Sequence, residues 1–294
     1  MNDSPPPRTV AVIGATGFCG SGIVDRCLAR GHRVRAVSRH PAPAHHDAVT
    51  AIAADITAPE TLAPALDGAD VVIHAASYTG TEHALARETN EHGTARIAEA
   101  VQALGIDSLI HLSTIGVYGA GPFRERTERD APRPVTDLSR SRRAGEEIVQ
   151  GTGGLVLRPG FVHGPGPQSF LTGLARIITA LGALVDDGAA RQSIVSTADL
   201  AAITTTLAGA PIPDHLRGTV VNVADDTPQT IRDLWRRTSD ADVPGGPLPS
   251  ISYAEALDRA AGLGLTPRHI DLVAADHTLD TRRIRAVLED LKRK

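Results

Sequence analysis

One stretch constrains the fold more than any other: Val10-Ala11-Val12-Ile13-Gly14-Ala15-Thr16-Gly17-Phe18-Cys19-Gly20. An apolar run stops at Gly14, and a helical pattern (Gly22-Ile23-Val24-Asp25-Arg26-Cys27-Leu28) starts after Gly20. A buried strand, a tight turn and a helix N-terminus in that order make a pyrophosphate cradle. The turn lets the backbone come close, and free N–H groups with the positive end of the helix dipole hold the anion. The glycines leave room in the turn, against the phosphates, and between helix and strand. The spacing is Gly-x-x-Gly-x-x-Gly, not the commoner Gly-x-Gly-x-x-Gly. Gly14, Thr16, Gly17, Phe18 and Gly20 are therefore the expected dinucleotide contacts.

The chain continues as alternating strand and helix patterns. Arg33–Val37 reads as the second strand, Thr50–Asp55 as the third, Asp70–His74 as the fourth and Ser108–Thr114 as the fifth. Helices are expected over Pro59–Leu66 and Thr89–Leu104, where Ile97, Val101 and Leu104 share one face. This alternation implies an α/β fold with a doubly wound parallel sheet. In such a sheet the residue after the second strand meets the adenosine ribose. A carboxylate there suits NAD, and an arginine suits the 2′-phosphate of NADP. Here the residues are Ser38-Arg39-His40, so NADP(H) is favoured over NAD(H). Asp55 and Ile56 are expected beside the adenine. Ala75, Ala76 and Ser77 follow the fourth strand at the carboxyl edge, where ligands bind.

Composition narrows the possibilities further. A net charge of −4 provides no basic field for nucleic acid. No stretch is apolar for long enough to span a bilayer, and the start lacks the basic-then-apolar shape of a signal peptide, so a cytoplasmic location is expected. Cys19 and Cys27, the only cysteines, read as free structural thiols, and no metal site is expected. The only lysines are Lys292 and Lys294, so chemistry that needs a lysine inside the fold is not on offer.

Downstream segments resemble those of extended short-chain dehydrogenases/reductases, the NAD-dependent epimerase/dehydratase-like group. His111-Leu112-Ser113-Thr114-Ile115-Gly116-Val117-Tyr118-Gly119 is similar to that family's Ser-[Ser/Thr]-x-x-Val-Tyr-Gly strand end. Asn90-Glu91-His92-Gly93-Thr94 resembles its Asn-x-x-Gly-Thr helix. Leu157-Arg158-Pro159-Gly160-Phe161-Val162-His163-Gly164-Pro165-Gly166 resembles its Arg-Pro-x-x-Val-Tyr-Gly-Pro-Gly segment, and Asp199-Leu200-Ala201 its late acidic motif. The resemblance implies a Rossmann domain built from residues 8–166 and 191–224. It also implies a small substrate lobe from 167–190 and 225–294, after a disordered start over 1–7. Pro244-Gly245-Gly246-Pro247 reads as a linker between lobe helices.

The resemblance breaks at one informative place. The family carries Tyr-x-x-x-Lys on the helix after the fifth strand. The corresponding run here is Leu138-Ser139-Arg140-Ser141-Arg142-Arg143-Ala144-Gly145-Glu146, with Leu138 at the tyrosine position and Arg142 at the lysine position. None of Tyr78, Tyr118 and Tyr253 has a lysine four residues on. The resemblance then implies Thr114, with Ser113 beside it, as the hydroxyl that holds the substrate oxygen. It leaves Arg142 to touch the nicotinamide ribose, and Pro159, Phe161 and Val162 to border the cofactor. Tyr78, Tyr118, His163 and Phe170 are the candidate substrate contacts.

Two readings stand. One is a ketoreductase whose proton comes from water or from an acidic hydroxyl on the substrate; this resembles atypical ketoreductases acting on aromatic polyketides such as angucyclinones. Its partner is a small molecule, an aromatic ketone. The other is a non-catalytic NADP(H)-binding sensor or regulator. A sugar-nucleotide epimerase or dehydratase ranks below both, because the base for those reactions is missing.

Overall fold

Seven short apolar segments pair as a single parallel sheet in the computed structural model, which describes residues 6–239 and 248–293. They are β1 (Thr9–Ile13), β2 (Arg33–Ser38), β3 (Val49–Ala53), β4 (Val71–His74), β5 (Leu109–Leu112), β6 (Leu155–Pro159) and β7 (Val220–Val223). Their order across the sheet is β7-β6-β5-β4-β1-β2-β3. This is the doubly wound α/β fold expected from the sequence. Every residue of β4 and β5 is buried, because helices cover both faces of the sheet. Strand alternation divides the core in two. Val10 and Val12 of β1 pack with the helices Gly20–Ala29 and Thr197–Ala208, while Ala11 and Ile13 pack with the helices Leu62–Leu66 and Gly93–Ala103. Strand order reverses between β1 and β4, which opens a crevice at their carboxyl ends.

A third apolar cluster lies outside the sheet. It joins the helices Phe170–Leu181, Ile231–Ser239, Tyr253–Gly262 and Pro267–Ala274 through Leu174, Ile178, Trp235, Ala256 and Ile270. A small sheet stitches this lobe to the Rossmann layer: Phe123–Arg126 pairs with His277–Leu279, which pairs in turn with Arg191–Gln192.

Three features differ from the sequence reading. The last helix, Arg282–Arg293, does not join the substrate lobe; Ile284 and Val287 return to the Rossmann core. The helix expected over Thr89–Leu104 is α-helical only over Gly93–Ala103. It follows a helix His83–Arg87 and one widened turn over Glu88–His92, the kind of irregularity that tends to mark functional places. The strand Phe123–Arg126 has no sequence signature, since its run Phe-Arg-Glu-Arg lacks an apolar face. Met1–Pro5 of the proline-rich start and the 244–247 linker lie outside the described residues.

Candidate active site

The glycine turn has the geometry of a phosphate cradle. Gly14 has φ +85°, and a Cβ on it would fall 2.7 Å from the backbone nitrogen of Ala76, so β1 and β4 nearly touch at the crevice. A Cβ on Gly20 would lie 2.0 Å from the carbonyl oxygen of Gly14. The helix Gly20–Ala29 can therefore sit on the turn only because that residue is glycine. Thr16 and Gly17 are exposed at the helix N-terminus, and Phe18 is half-buried. The amides of Phe18 and Cys19 precede the helix and donate to no backbone acceptor among the described residues. Orphan N–H groups at a helix N-terminus fit a dinucleotide pyrophosphate. Arg39 stands exposed just past β2, and the buried Ser38 hydroxyl beside it has no hydrogen-bond partner. Asp55 sits beyond β3 with one carboxylate oxygen accepting from the amide and hydroxyl of Thr57, both at 2.9 Å. Ile56 is buried under Gly93.

Arg142 spans the carboxyl ends of β4 and β5. Its guanidinium donates to the Ser77 hydroxyl and, at 2.8 Å each, to the carbonyls of Leu112 and Ser113. Burial lowers its pKa, and nearby Glu146 opposes the shift. Leu138 is half-buried one turn earlier on the same face of the helix Asp137–Gly151. The widened turn aims Asn90 at the same place. Its side chain accepts from Tyr78 N at 2.9 Å and donates to Tyr78 O and to the Ser141 hydroxyl at 3.1 Å each. Tyr78 is thereby tied to the helix that carries Leu138, with its hydroxyl accepting from Glu82 N at 3.2 Å.

The two hydroxyls expected at the strand end have different fates. Ser113 is buried and donates to Glu146 Oε1 at 2.5 Å, so it faces inward and not towards a substrate. Thr114 is half-buried, and its Oγ1 accepts from Gly116 N at 3.1 Å. That bond uses a lone pair and leaves the Thr114 hydroxyl proton free to donate. Tyr118 also departs from its expected role as a substrate contact. It is only 2% exposed, and its oxygen lies within hydrogen-bond reach of Arg158 (3.0 Å), Asn222 (2.9 Å) and the Thr127 carbonyl (3.1 Å). Burial pushes its pKa up, with Arg158 opposing.

A small cavity opens at Ile115 and Gly116, just after Thr114 in the chain, where the Rossmann layer meets the lobe. Ile115, Gly116, Phe123, Phe161, Leu272 and His277 form much of its wall. Phe161 stacks on Phe170 with ring centroids 4.3 Å apart. His277 meets Phe123 and Phe161 edge-on at 5.1 and 5.7 Å. The whole chain has four phenylalanines, and three of them gather here. Pro159 is buried at the end of β6, and Val162 packs on the core behind it. His163 is half-buried; burial, then the charge of Arg237, lowers its pKa, with Asp199 opposing.

Comparison with known proteins agrees with this geometry. Residues 10–224 match the model of the NAD dependent epimerase/dehydratase family. The chain belongs to this family. Among its epimerase/dehydratase-family relatives is dTDP-6-deoxy-L-talose 4-dehydrogenase (NAD(P)(+)) of Kitasatospora kifunensis, 31% identical over 246 residues, 78% of this chain and 77% of that protein. The 3-beta-hydroxysteroid dehydrogenase of Mycolicibacterium neoaurum is 30% identical over 181 residues, 54% of this chain; the match spans only 49% of that relative's length. Among solved structures, MoeE5 in complex with UDP-glucuronic acid and NAD superposes with a TM-score of 0.68 at 22% identity, covering 90% of this chain and 97% of that one. The family is one of nicotinamide-dependent oxidoreductase-type enzymes, and no helix among the described residues is long and apolar enough to cross a membrane.

Two further groups lie at the site. His74 and His111 face each other across β4 and β5, ring centroids 4.7 Å apart, just beneath Arg142. Their visible signal was a histidine in each of two adjacent strands, at the end of β4 and one residue before the end of β5. His277 carried none, since it meets Gln192, the residue seven before Asp199 where the resemblance expects an arginine, only through the small sheet.

Proposed function

We propose that this protein is an NADP(H)-dependent reductase of an aromatic or otherwise flat apolar ketone. The observation that supports the reading is the clustering of Phe123, Phe161 and Phe170 around a small cavity that begins at Ile115, the residue after Thr114, whose hydroxyl proton is unspent. Gly14, Thr16, Gly17, Phe18 and Gly20 would hold the pyrophosphate, Arg39 a ribose 2′-phosphate, and Ala75, Ala76, Ser77 and Arg142 the nicotinamide half. The reduced cofactor supplies a hydride for the carbonyl carbon. Thr114 donates to the carbonyl oxygen and orients it. Leu138 carries no proton, and Arg142 stays charged, so neither acts as the acid. The proton for the new hydroxyl then comes from water or from an acidic hydroxyl of the substrate held next to the ketone, where proximity replaces a side chain.

The test is NADPH oxidation by the purified protein with a panel of hydroxylated aromatic ketones and, in parallel, 4-keto sugar nucleotides. The relationship to the talose dehydrogenase makes the sugar nucleotide the competing reading. Turnover of aromatic ketones alone supports the proposal, and turnover of sugar nucleotides alone overturns it. Thr114→Val should lower kcat about 10-fold, the worth of one hydrogen bond. A fall of about 10³-fold or more would instead make Thr114 the proton donor. Arg39→Asp should reverse cofactor preference, because a carboxylate repels a 2′-phosphate and accepts from a 2′-hydroxyl. An unchanged ratio of NADPH to NADH affinity rejects that role for Arg39.

A further inference from the structure

The segment after β4 is fastened to the helix Asp137–Gly151 around Leu138. Ser77 Oγ accepts from the Arg142 guanidinium. Tyr78 is clamped through its backbone N–H and carbonyl by the Asn90 side chain, which also donates to Ser141 Oγ at 3.1 Å. His83 makes a further attachment, with its Nδ1 3.2 Å from Asp137 Oδ2. Asp137 precedes Leu138 in the chain, and Ser141 and Arg142 follow it at the spacing of neighbours on a helix surface. Arg142 in turn grips the carbonyl of Ser113, the residue before Thr114. His83 therefore stands at the lip of the candidate site, on the helix turn whose Leu138 carries no proton.

His83 and Asp137 have the form of an oriented acid. Asp137 is itself held in place: its Oδ1 accepts from Arg140 at 2.9 Å, and it lies in the first turn of its helix, where the dipole favours an anion. A carboxylate beside Nδ1 keeps a proton on that nitrogen and leaves Nε2 as the one that exchanges. His83 Nε2 has no hydrogen-bond partner among the described residues, and the side chain is 60% exposed, so solvent can recharge the ring. The Tyr78 hydroxyl accepts from Glu82 N at 3.2 Å, which closes the turn that brings His83 back onto the helix. Thr114 orients the carbonyl, and Leu138 and Arg142 give no proton. The water or substrate hydroxyl beside the ketone thus needs a proton source behind it.

We propose that His83, oriented by Asp137, is the proton relay of the reduction. The carbonyl carbon takes the hydride, and the carbonyl oxygen takes a proton from the adjacent water or substrate hydroxyl. That donor takes the proton of His83 Nε2. The electron pair of the broken N–H bond stays on the ring, which then takes a proton from solvent, and Asp137 stays ionised throughout. The relay rests on the carbonyl-reduction reading above, and not on which carbonyl is reduced. It is tested with the full chain, NADPH and, in parallel, 1-hydroxy-2-acetonaphthone and a 4-keto sugar nucleotide. His83→Asn keeps a donor for Asp137 but has no proton to pass on. It should lower kcat about 100-fold, the scale of a lost general acid. KM and NADPH affinity should change by less than about 2-fold. Free imidazole in solution should restore part of the rate, and Asp137→Asn should show the same pattern on a smaller scale. An unchanged kcat in His83→Asn, or a loss that imidazole does not restore, overturns the relay and leaves the reductase reading standing. An imidazole-rescued loss seen on the sugar nucleotide alone keeps the relay and overturns the aromatic ketone. Turnover of neither carbonyl by the wild type overturns the two together.

Discussion

Glu146→Ala is expected to cost about 3–5 kcal/mol of folding stability, the usual result of breaking a buried ion pair by removing one partner. Glu146 is fully buried and Arg158 is 2% exposed. The guanidinium donates to both carboxylate oxygens, Nε to Oε1 at 2.8 Å and a terminal nitrogen to Oε2 at 2.6 Å. Ser113 and Arg143 complete the carboxylate's hydrogen bonds. Burial alone would lower the Arg158 pKa, yet the net direction is upward because Glu146 and Tyr118 together outweigh it. Without Glu146 that cation lies uncompensated in the core, and Ser113 loses its acceptor. For a domain whose whole stability is about 5–15 kcal/mol, this is a large share. Urea unfolding followed by the fluorescence of Trp235, the only tryptophan, reads it. A paired change, Glu146→Leu with Arg158→Met, should cost less than the sum of the singles, since it leaves no orphan charge. A loss under about 1 kcal/mol for Glu146→Ala would show that water or a rearrangement satisfies Arg158. The network also matters to the site: it pins the end of β5, and Thr114 is the next residue after its Ser113 anchor.

The legible part of this molecule is the part written in local patterns. The Gly14-to-Gly20 turn, the apolar strands and the motif spacing convey a doubly wound sheet, because strand burial and phosphate cradles use short-range chemistry. Leu138 and Arg142, four residues apart on one helix, were equally plain. What the chain does with them was not, because the grip of Arg142 on Leu112, Ser113 and Ser77 depends on how β4 and β5 lie side by side. Ser113 and Thr114 look interchangeable in one dimension. Strand alternation separates them, one turned to Glu146 and the other accepting from the Gly116 amide. The last helix read as amphipathic, but a stripe of Ile284 and Val287 does not say which core it covers. His277 joins a cavity wall begun about 160 residues earlier in the chain at Ile115 and Gly116, and only the small sheet of Phe123–Arg126 with His277–Leu279 makes that meeting possible.

The histidine pair beneath Arg142 should make the fold acid-sensitive at unusually mild pH. His74 Nε2 donates to Thr94 Oγ1 at 3.0 Å, since the Thr94 hydroxyl is itself spent on the Asn90 carbonyl at 2.8 Å. The other nitrogen of His74 and both nitrogens of His111 are buried without a well-formed hydrogen bond. Burial first, and the charge of Arg142 second, push the His111 pKa down to about 3; burial and then His111 hold His74 well below its ordinary value. Above pH about 6.5 both histidines are neutral in the folded and unfolded chains alike, and they add no pH dependence. As pH falls below that, the unfolded chain binds protons that the folded chain refuses, so stability drops with falling pH. The limiting slope is about 1.4 kcal/mol per pH unit per histidine, and for His111 it continues until pH approaches its folded value. Carboxylates such as Asp130 and Asp276, held below their ordinary values, lose stability only nearer pH 4. The interval from pH 6.5 to 5 therefore isolates the histidines. His111→Leu should flatten the curve there by up to about 1.4 kcal/mol per pH unit. It should also hold or raise stability at pH 7 by about 1 kcal/mol, since it removes two unpaired polar atoms. Urea midpoints at pH 7, 6 and 5 for the two proteins measure both effects. Parallel curves would mean that water reaches His111 or that Arg142 moves away when the ring charges.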